Sequence, residues 1–327
     1  MKVHSRLALA VGVVAVVATV LSGCSSSGGG GGGGTGNATS PAGQNTGTTK
    51  AGATGYNAAF EHVVNPSTKT GGTLKLLAGG DCDSWDPQRT YYGWCMNMQR
   101  LFSRTLIGYA SLNGTQFKLG PDMATDMGTH NADFTEWTYT LKPGLKFSTG
   151  APVTAADVQW GISRLWASSV IFGGPSSYFT TGIKAPKNYA GPFKDGPNTV
   201  GMTVSGTDKI TFHLTGANAD FNYLMAMAAS APVPAKVEGG TGFVGTNYQK
   251  HPVASGPFMI QSYDQNKQIT FVRNPDWSQS TDTIRKPMVD KVEVTVDSNP
   301  ADIGQKLQAG SYDGQADKAV DPAFQAK

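Results

Sequence analysis

Few residues of this 327-residue chain could do chemistry. The five histidines are His4, His62, His130, His213 and His251, and no two stand at metal-ligand spacing. The chain contains no H-E-x-x-H, G-x-S-x-G, S-x-x-K or P-loop lysine pattern. The usual nucleophile–base, zinc and phosphate-cradling motifs are therefore absent. Gly240, Gly242 and Gly245 match G-x-G-x-x-G, but they follow an expected helix end and lead to Asn247-Tyr248. A dinucleotide fingerprint needs a strand before it and a helix after it, so this run reads as a loop. His213 falls mid-strand on the polar face and reads as a surface histidine. No catalytic residue, metal or cofactor is expected.

The cysteines are Cys24, Cys82 and Cys95. Lys2 and Arg6 form a basic start, and Leu7 to Leu21 an apolar core too short for a comfortable membrane span. Leu21-Ser22-Gly23-Cys24 then resembles a bacterial lipobox, in which the cysteine becomes the lipidated first residue. Residues 25–55 are almost all Gly, Ser, Thr, Ala and Asn, too polar to offset their ordering entropy. The expectation is a signal segment at 1–24, lipid on Cys24 and a disordered tether over 25–70, holding an extracytoplasmic body to the cell membrane. Outside the membrane, Cys82 and Cys95 favour a disulfide closing a small loop; two thiols with no nearby histidine make a poor metal site. Net charge is only +3, and no charge run suggests a nucleic-acid partner.

These groups must be positioned by a scaffold, and its clearest stretch runs from Trp137 to Trp166. Trp137, Tyr139 and Leu141 alternate with Thr138 and Thr140, the period of a half-buried strand. Pro143-Gly144 and Ser148-Thr149-Gly150 supply turns around Leu145 and Phe147. Thr154, with Asp157 three residues on, reads as a capping-box helix start. Val158, Ile162, Leu165 and Trp166 fall on one face of that helix. Strands are also expected at Gly71–Leu77, Thr207–Leu214 (with Ile210, Phe212 and Leu214 inward) and Lys291–Val296. Short helices are expected over about Met96–Leu106 and over 219–228.

The run TYTLKPGLKFSTGAPVTAADVQWGISR resembles the signature of the bacterial extracellular solute-binding proteins of family 5. That family includes oligopeptide, dipeptide and nickel receptors of ABC importers. Further matches occur in order from about 71 to 317: Gly71-Gly72-Thr73-Leu74, Trp85-Asp86-Pro87, Val253 to Phe258, Arg273-Asn274-Pro275 and Asp302 to Asp313. The resemblance implies an α/β, periplasmic-binding-protein-like fold of the class II type, with two lobes. It places lobe I at 71–103 and 219–317, an inserted subdomain at 104–218, and the start of lobe II at 318–327. Relatives usually continue much further, so the second lobe is expected to be largely missing from this sequence.

The same resemblance bears on the site. Trp85, Tyr91, Tyr92 and Trp94 make the loop between the two cysteines rich in aromatics, which core packing alone could explain. Tyr91-Tyr92-Gly93, however, resembles the segment lining the interlobe cleft of the family, and Tyr178 and Phe179 loosely match another cleft-lining region. A phenol offers apolar area and a hydroxyl that orients a ligand. The implied protein is a monomeric receptor that binds a small solute, a peptide by resemblance, and hands it to an ABC permease complex. A surface sensory or adhesive lipoprotein reusing the fold without transport is the alternative.

Overall fold

The computed structural model describes residue 59 and residues 67–111, 116–236, 246–250 and 252–318. The signal segment, Cys24, the Gly240–Gly245 run and all of 319–327 lie outside the described residues, as does nearly all of the 25–70 tether. Within that tether, Ala59 is buried and its N–H donates to the Thr283 carbonyl at 3.2 Å.

In chain order the strands are β1 (Thr73–Ala78), β2 (Ile107–Ser111), β3 (Phe117–Pro121), β4 (Thr129–His130), β5 (Glu136–Thr140), β6 (Met202–Ser205), β7 (Lys209–His213), β8 (Phe258–Asp264), β9 (Gln268–Arg273), β10 (Lys291–Val296) and β11 (Gly314–Gln315). The helices are α1 (Gly93–Gln99), α2 (Ala155–Ser163), α3 (Ser176–Thr180), α4 (Pro192–Asp195), α5 (Phe221–Met225) and α6 (Pro300–Gln308).

Two sheets carry two cores. The first has the order β11-β1-β10-β9-β8. β1 lies parallel to β10, with Leu74 opposite Val292 and Leu76 opposite Val294, while β9 runs antiparallel to β10 and β8. Phe258, Ile269, Phe271 and Val294 pack there with Trp85 and Phe102. The second sheet has the order β4-β5-β7-β6. Its alternation places Trp137, Tyr139, Ile210 and Phe212 inward, against Val158 and Ile162 of α2. Each fully buried large apolar side chain contributes about 1.5–3 kcal/mol, so this shared face fixes the β5–α2 unit. At the start of α2, Asp157 Oδ2 accepts from the Thr154 N–H and hydroxyl, both at 2.7 Å. Asp157 Oδ1 also takes the Ala235 N–H at 2.7 Å, tying a distant segment to this helix start.

Two expectations shift. Helix is expected over Met96–Leu106, but α1 covers Gly93–Gln99 and the chain turns out at Arg100. The reason is tertiary: the Phe102 carbonyl accepts the N–H groups of Ser255 and Gly256, both at 2.8 Å. A Cβ at Gly256 would sit 2.7 Å from the Leu101 carbonyl oxygen, so only glycine permits that approach. Residues 219–229, expected with lobe I, instead send Phe221, Met225 and Ala229 into the core of the second sheet.

Two buried ionic clusters join the parts. Asp86, in the turn after β1, receives Arg164 from the end of α2 at 2.6 and 3.1 Å, and both side chains are fully buried. Gln88 completes the set, accepting from Arg164 at 2.5 Å and donating to the carbonyls of Ala229 and Ala231. In the second cluster, Asp122 lies between Arg104 and Arg285, each at 2.8 Å. Asp282 pairs with Arg285 at 3.2 Å, and Thr281 accepts twice from Arg104. Burial opposes ionisation of Asp122, but Arg285 and Arg104 outweigh it and hold the carboxyl well below its ordinary value. Beside it, burial pushes the Lys142 ammonium down to about 8.

A buried ion pair that loses one partner leaves an uncompensated charge. Asp86→Ala and Arg164→Ala should each lower the unfolding free energy by about 3–5 kcal/mol in urea titration. Asp86→Leu with Arg164→Met, which removes both charges, should cost less than either single change. For Asp122 the folded pKa lies below the unfolded one, so its stabilisation is present above about pH 4 and lost as pH falls below that. The wild-type urea midpoint should therefore fall progressively as pH drops below 4, and its advantage over Asp122→Asn should shrink steadily along the same descent.

Candidate functional site

The site is built on the segment that follows β1. Cys82 and Cys95 are bonded, closing the loop onto the first turn of α1. Inside that loop Asp83 organises the backbone: its carboxylate accepts from the Thr90 hydroxyl, from the Ser84 N–H at 3.0 Å and from the Tyr91 N–H at 3.2 Å. Asp81 holds the loop's other flank, accepting from the Tyr263 hydroxyl at 2.8 Å and the Asn266 N–H at 2.7 Å. Trp85, for which core packing was one reading, is 1% exposed and meets Trp94, Tyr263 and Phe271 edge-on. Trp85 and Trp94 are therefore scaffold.

The tyrosines behave differently. Tyr91, Tyr92 and Tyr178 are 45%, 56% and 52% exposed. The Tyr91 hydroxyl donates to the Tyr178 hydroxyl at 3.0 Å, with ring centroids 6.2 Å apart. That hydrogen bond, followed by local desolvation and the neighbouring phenol's charge, raises the Tyr91 pKa. Two segments 87 positions apart thus present paired phenols to solvent. Close backbone packing brings them together: a Cβ at Gly174 would fall 2.1 Å from the Gln88 carbonyl oxygen. The loop before α3 can therefore lie directly on the Gln88-Arg89 backbone.

Phe179 departs from expectation. It is fully buried in the core of the second sheet and offers a ligand nothing. One helix position turns Tyr178 outward and Phe179 inward, about 100° apart on a short helix. Three residues not singled out by sequence meet beside these segments. Phe172 is 56% exposed, and the Arg89 guanidinium carbon lies 4.2 Å from its ring centre. Arg89 Nη1 donates to Gln249 Oε1 at 2.7 Å. The proximity of Arg89 to Tyr91 was visible in the sequence; its burial and its partners were not.

Catalytic geometry is thin. Among the described residues no group of three or more His, Cys, Asp or Glu could hold a metal ion. His213 does bridge Glu136 at 2.7 Å and Thr203 at 3.0 Å, an acid–imidazole–hydroxyl line. Glu136 and Thr203 are exposed on the outer face of the second sheet, where the arrangement acts as cross-strand pairing. Among the described residues, no helix is long and apolar enough to cross a membrane.

A mixed α/β scaffold whose buried Asp86–Arg164 pair fixes a turn carrying exposed phenols has the fold of the periplasmic binding proteins. The chain belongs to the bacterial extracellular solute-binding proteins, family 5, whose middle-region model matches residues 118–327. It is 29% identical over 187 residues to the probable D,D-dipeptide-binding periplasmic protein DdpA of Escherichia coli (strain K12), covering 55% of this chain and 31% of that protein. Its structure resembles that of clavulanic acid biosynthesis oligopeptide binding protein 2, with a TM-score of 0.74 and 32% identity, covering 83% of this chain and 49% of that one. The peptide-bound OppA of Listeria monocytogenes shares the fold at a TM-score of 0.62 and 20% identity, over 76% of this chain and 46% of that one. The matched part thus takes in about a third of the curated relative and about half of each solved chain.

The Cys82–Cys95 bond closes a short loop that carries the site. Replacing both cysteines by serine should reduce unfolding stability by about 3 kcal/mol in the chain-entropy picture, read by urea titration against the oxidised wild type. Dithiothreitol should lower the wild-type midpoint by a similar amount and leave the double variant unchanged.

Proposed function

We propose that this protein is the extracytoplasmic receptor of an ABC importer, that its ligand is a peptide, and that Tyr91, Tyr92 and Tyr178 form part of the ligand surface. The observation that carries the reading is the Tyr91–Tyr178 pair. Exposed, hydrogen-bonded to each other and held on a disulfide-closed loop, the two phenols offer preorganised apolar area with hydroxyls for orientation. Family membership supports a binding role in place of catalysis, and the names of the relatives point to peptides.

In this reading Cys24 carries the lipid that keeps the receptor at the cell membrane, and the tether gives it reach. Lobe I (71–103 and 219–317, with 219–229 packed on the second sheet's core) and the inserted subdomain (104–218) form one wall of a cleft. A second lobe closes over the ligand, shifting an open–closed equilibrium, and the closed monomer docks on the permease.

Native mass spectrometry of the protein purified from its own host tests this. A co-purified peptide, and a mass on Cys24 matching a lipid, are expected. Tyr91→Ala with Tyr178→Ala should weaken binding of that peptide by about tenfold or more, while the melting temperature moves little because both rings are exposed. A ligand-free protein that binds no member of a peptide library in calorimetry would overturn the reading.

A further inference from the structure

Among the arginines buried in this structure, Arg89 stands apart. Arg164 and Arg104, both almost fully buried, each face a carboxylate at hydrogen-bond distance. Arg89 is 7% exposed, yet no aspartate or glutamate among the described residues pairs with it. Its partners are the neutral amide of Gln249 and the face of Phe172, and its Nε is buried with no acceptor. Gln249 Oε1 is itself shared with the Ser84 hydroxyl at 3.3 Å. A desolvated guanidinium has five donors in a planar fork that matches a carboxylate, and leaving it without a counter-charge costs stability.

Its position explains the cost. Arg89 lies two residues before Tyr91, on the backbone that Gly173 and Gly174 pack against, and Phe172 adjoins those glycines. Tyr178 follows on the same segment. The unpaired cation therefore lies against the exposed Phe172 ring, and the Tyr91–Tyr178 pair stands on the same two segments. We propose that Arg89 is the anion-recognition group of this site, and that the ligand carries a carboxylate which completes the missing ion pair. This rests on the reading of the tyrosine surface as a ligand site and adds the ligand's charge. The stacked Phe172 ring and the Gln249 amide hold the fork in one orientation, so little freedom is lost when the anion arrives.

The test uses the full-length protein, a pool of short peptides with free C-terminal carboxylates and the same pool as C-terminal amides, all lacking acidic side chains. Binding is followed by native mass spectrometry and calorimetry for wild type, Arg89→Gln and Arg89→Lys. Wild type should prefer the acids by about tenfold or more, as expected for a charge-assisted pair. Arg89→Gln should bind both pools with a ratio near one, and Arg89→Lys should keep part of the preference. Tyr91→Phe should weaken both pools alike. Equal binding of acids and amides to wild type, or a preference that survives in Arg89→Gln, overturns the Arg89 assignment and leaves the peptide reading standing. Binding of neither pool overturns both. A ligand-free measurement adds an independent arm. Arg89→Met should melt within about 2 °C of wild type or higher, because it removes an unpaired buried charge. A clear loss of stability would make Arg89 a structural residue and overturn the proposal.

Discussion

The contact on which the rest of the arrangement depends is the buried pair between Asp86 and Arg164. Neither side chain reaches water, so each charge is tolerable only while the other is in place. The pair joins the turn after β1 to the end of α2, and so joins the two sheets' cores at one point. Gln88 extends the joint by donating to the carbonyls of Ala229 and Ala231. The Arg164 guanidinium also lies over the Tyr248 ring, 5.0 Å from its centre. Moving any of these groups would strand a polar atom in the interior, which is why the turn has a single position.

That position is what gives the tyrosine surface its geometry. The Ser84–Arg89 backbone is held from within by Asp86 and from its flank by Asp83, and the disulfide closes it onto α1. The loop before α3 then lies against Gln88 and Arg89, and Tyr178 comes within hydrogen-bond distance of Tyr91. A surface assembled this way is rigid underneath and exposed on top. Such a surface loses little entropy on binding, because the order was already imposed by folding. The Asp122–Arg104–Arg285–Asp282 cluster plays a comparable part elsewhere, fastening the segment after β9 to the end of β3.

Much of this was legible along the chain. The alternation of Trp137, Tyr139 and Leu141, and of Ile210, Phe212 and Leu214, announces two strands with one apolar face. Those side chains are buried as that pattern implies. Thr154 and Asp157 mark the start of α2 for a local reason, since the carboxylate and the groups it accepts from lie within one turn. The family resemblance was carried by these same local signals. The end of α1 was not legible, because Phe102 and Leu106 have the spacing of a helix face. The chain leaves the helix only to give the Phe102 carbonyl to a segment some 150 residues away. Phe179 shows the same limit, since a cleft-lining pattern cannot say which neighbour in a five-residue helix turns to solvent.

Sequence alone determined β1, β5, β7 and β10, the capped helix, the fold class and the candidacy of Tyr91, Tyr92 and Tyr178. Each of these rests on period, on local hydrogen bonding or on a run of matched residues. Tertiary structure decided which aromatics are scaffold and which are exposed, that Tyr91 meets Tyr178, and that Asp86 is neutralised by Arg164 while Arg89 has no carboxylate partner among the described residues. A charge's partner is a matter of distance in space, and its energetic meaning depends on burial. Neither is written in the order of the residues; both follow once the two sheets and their ionic joint have fixed the folded chain.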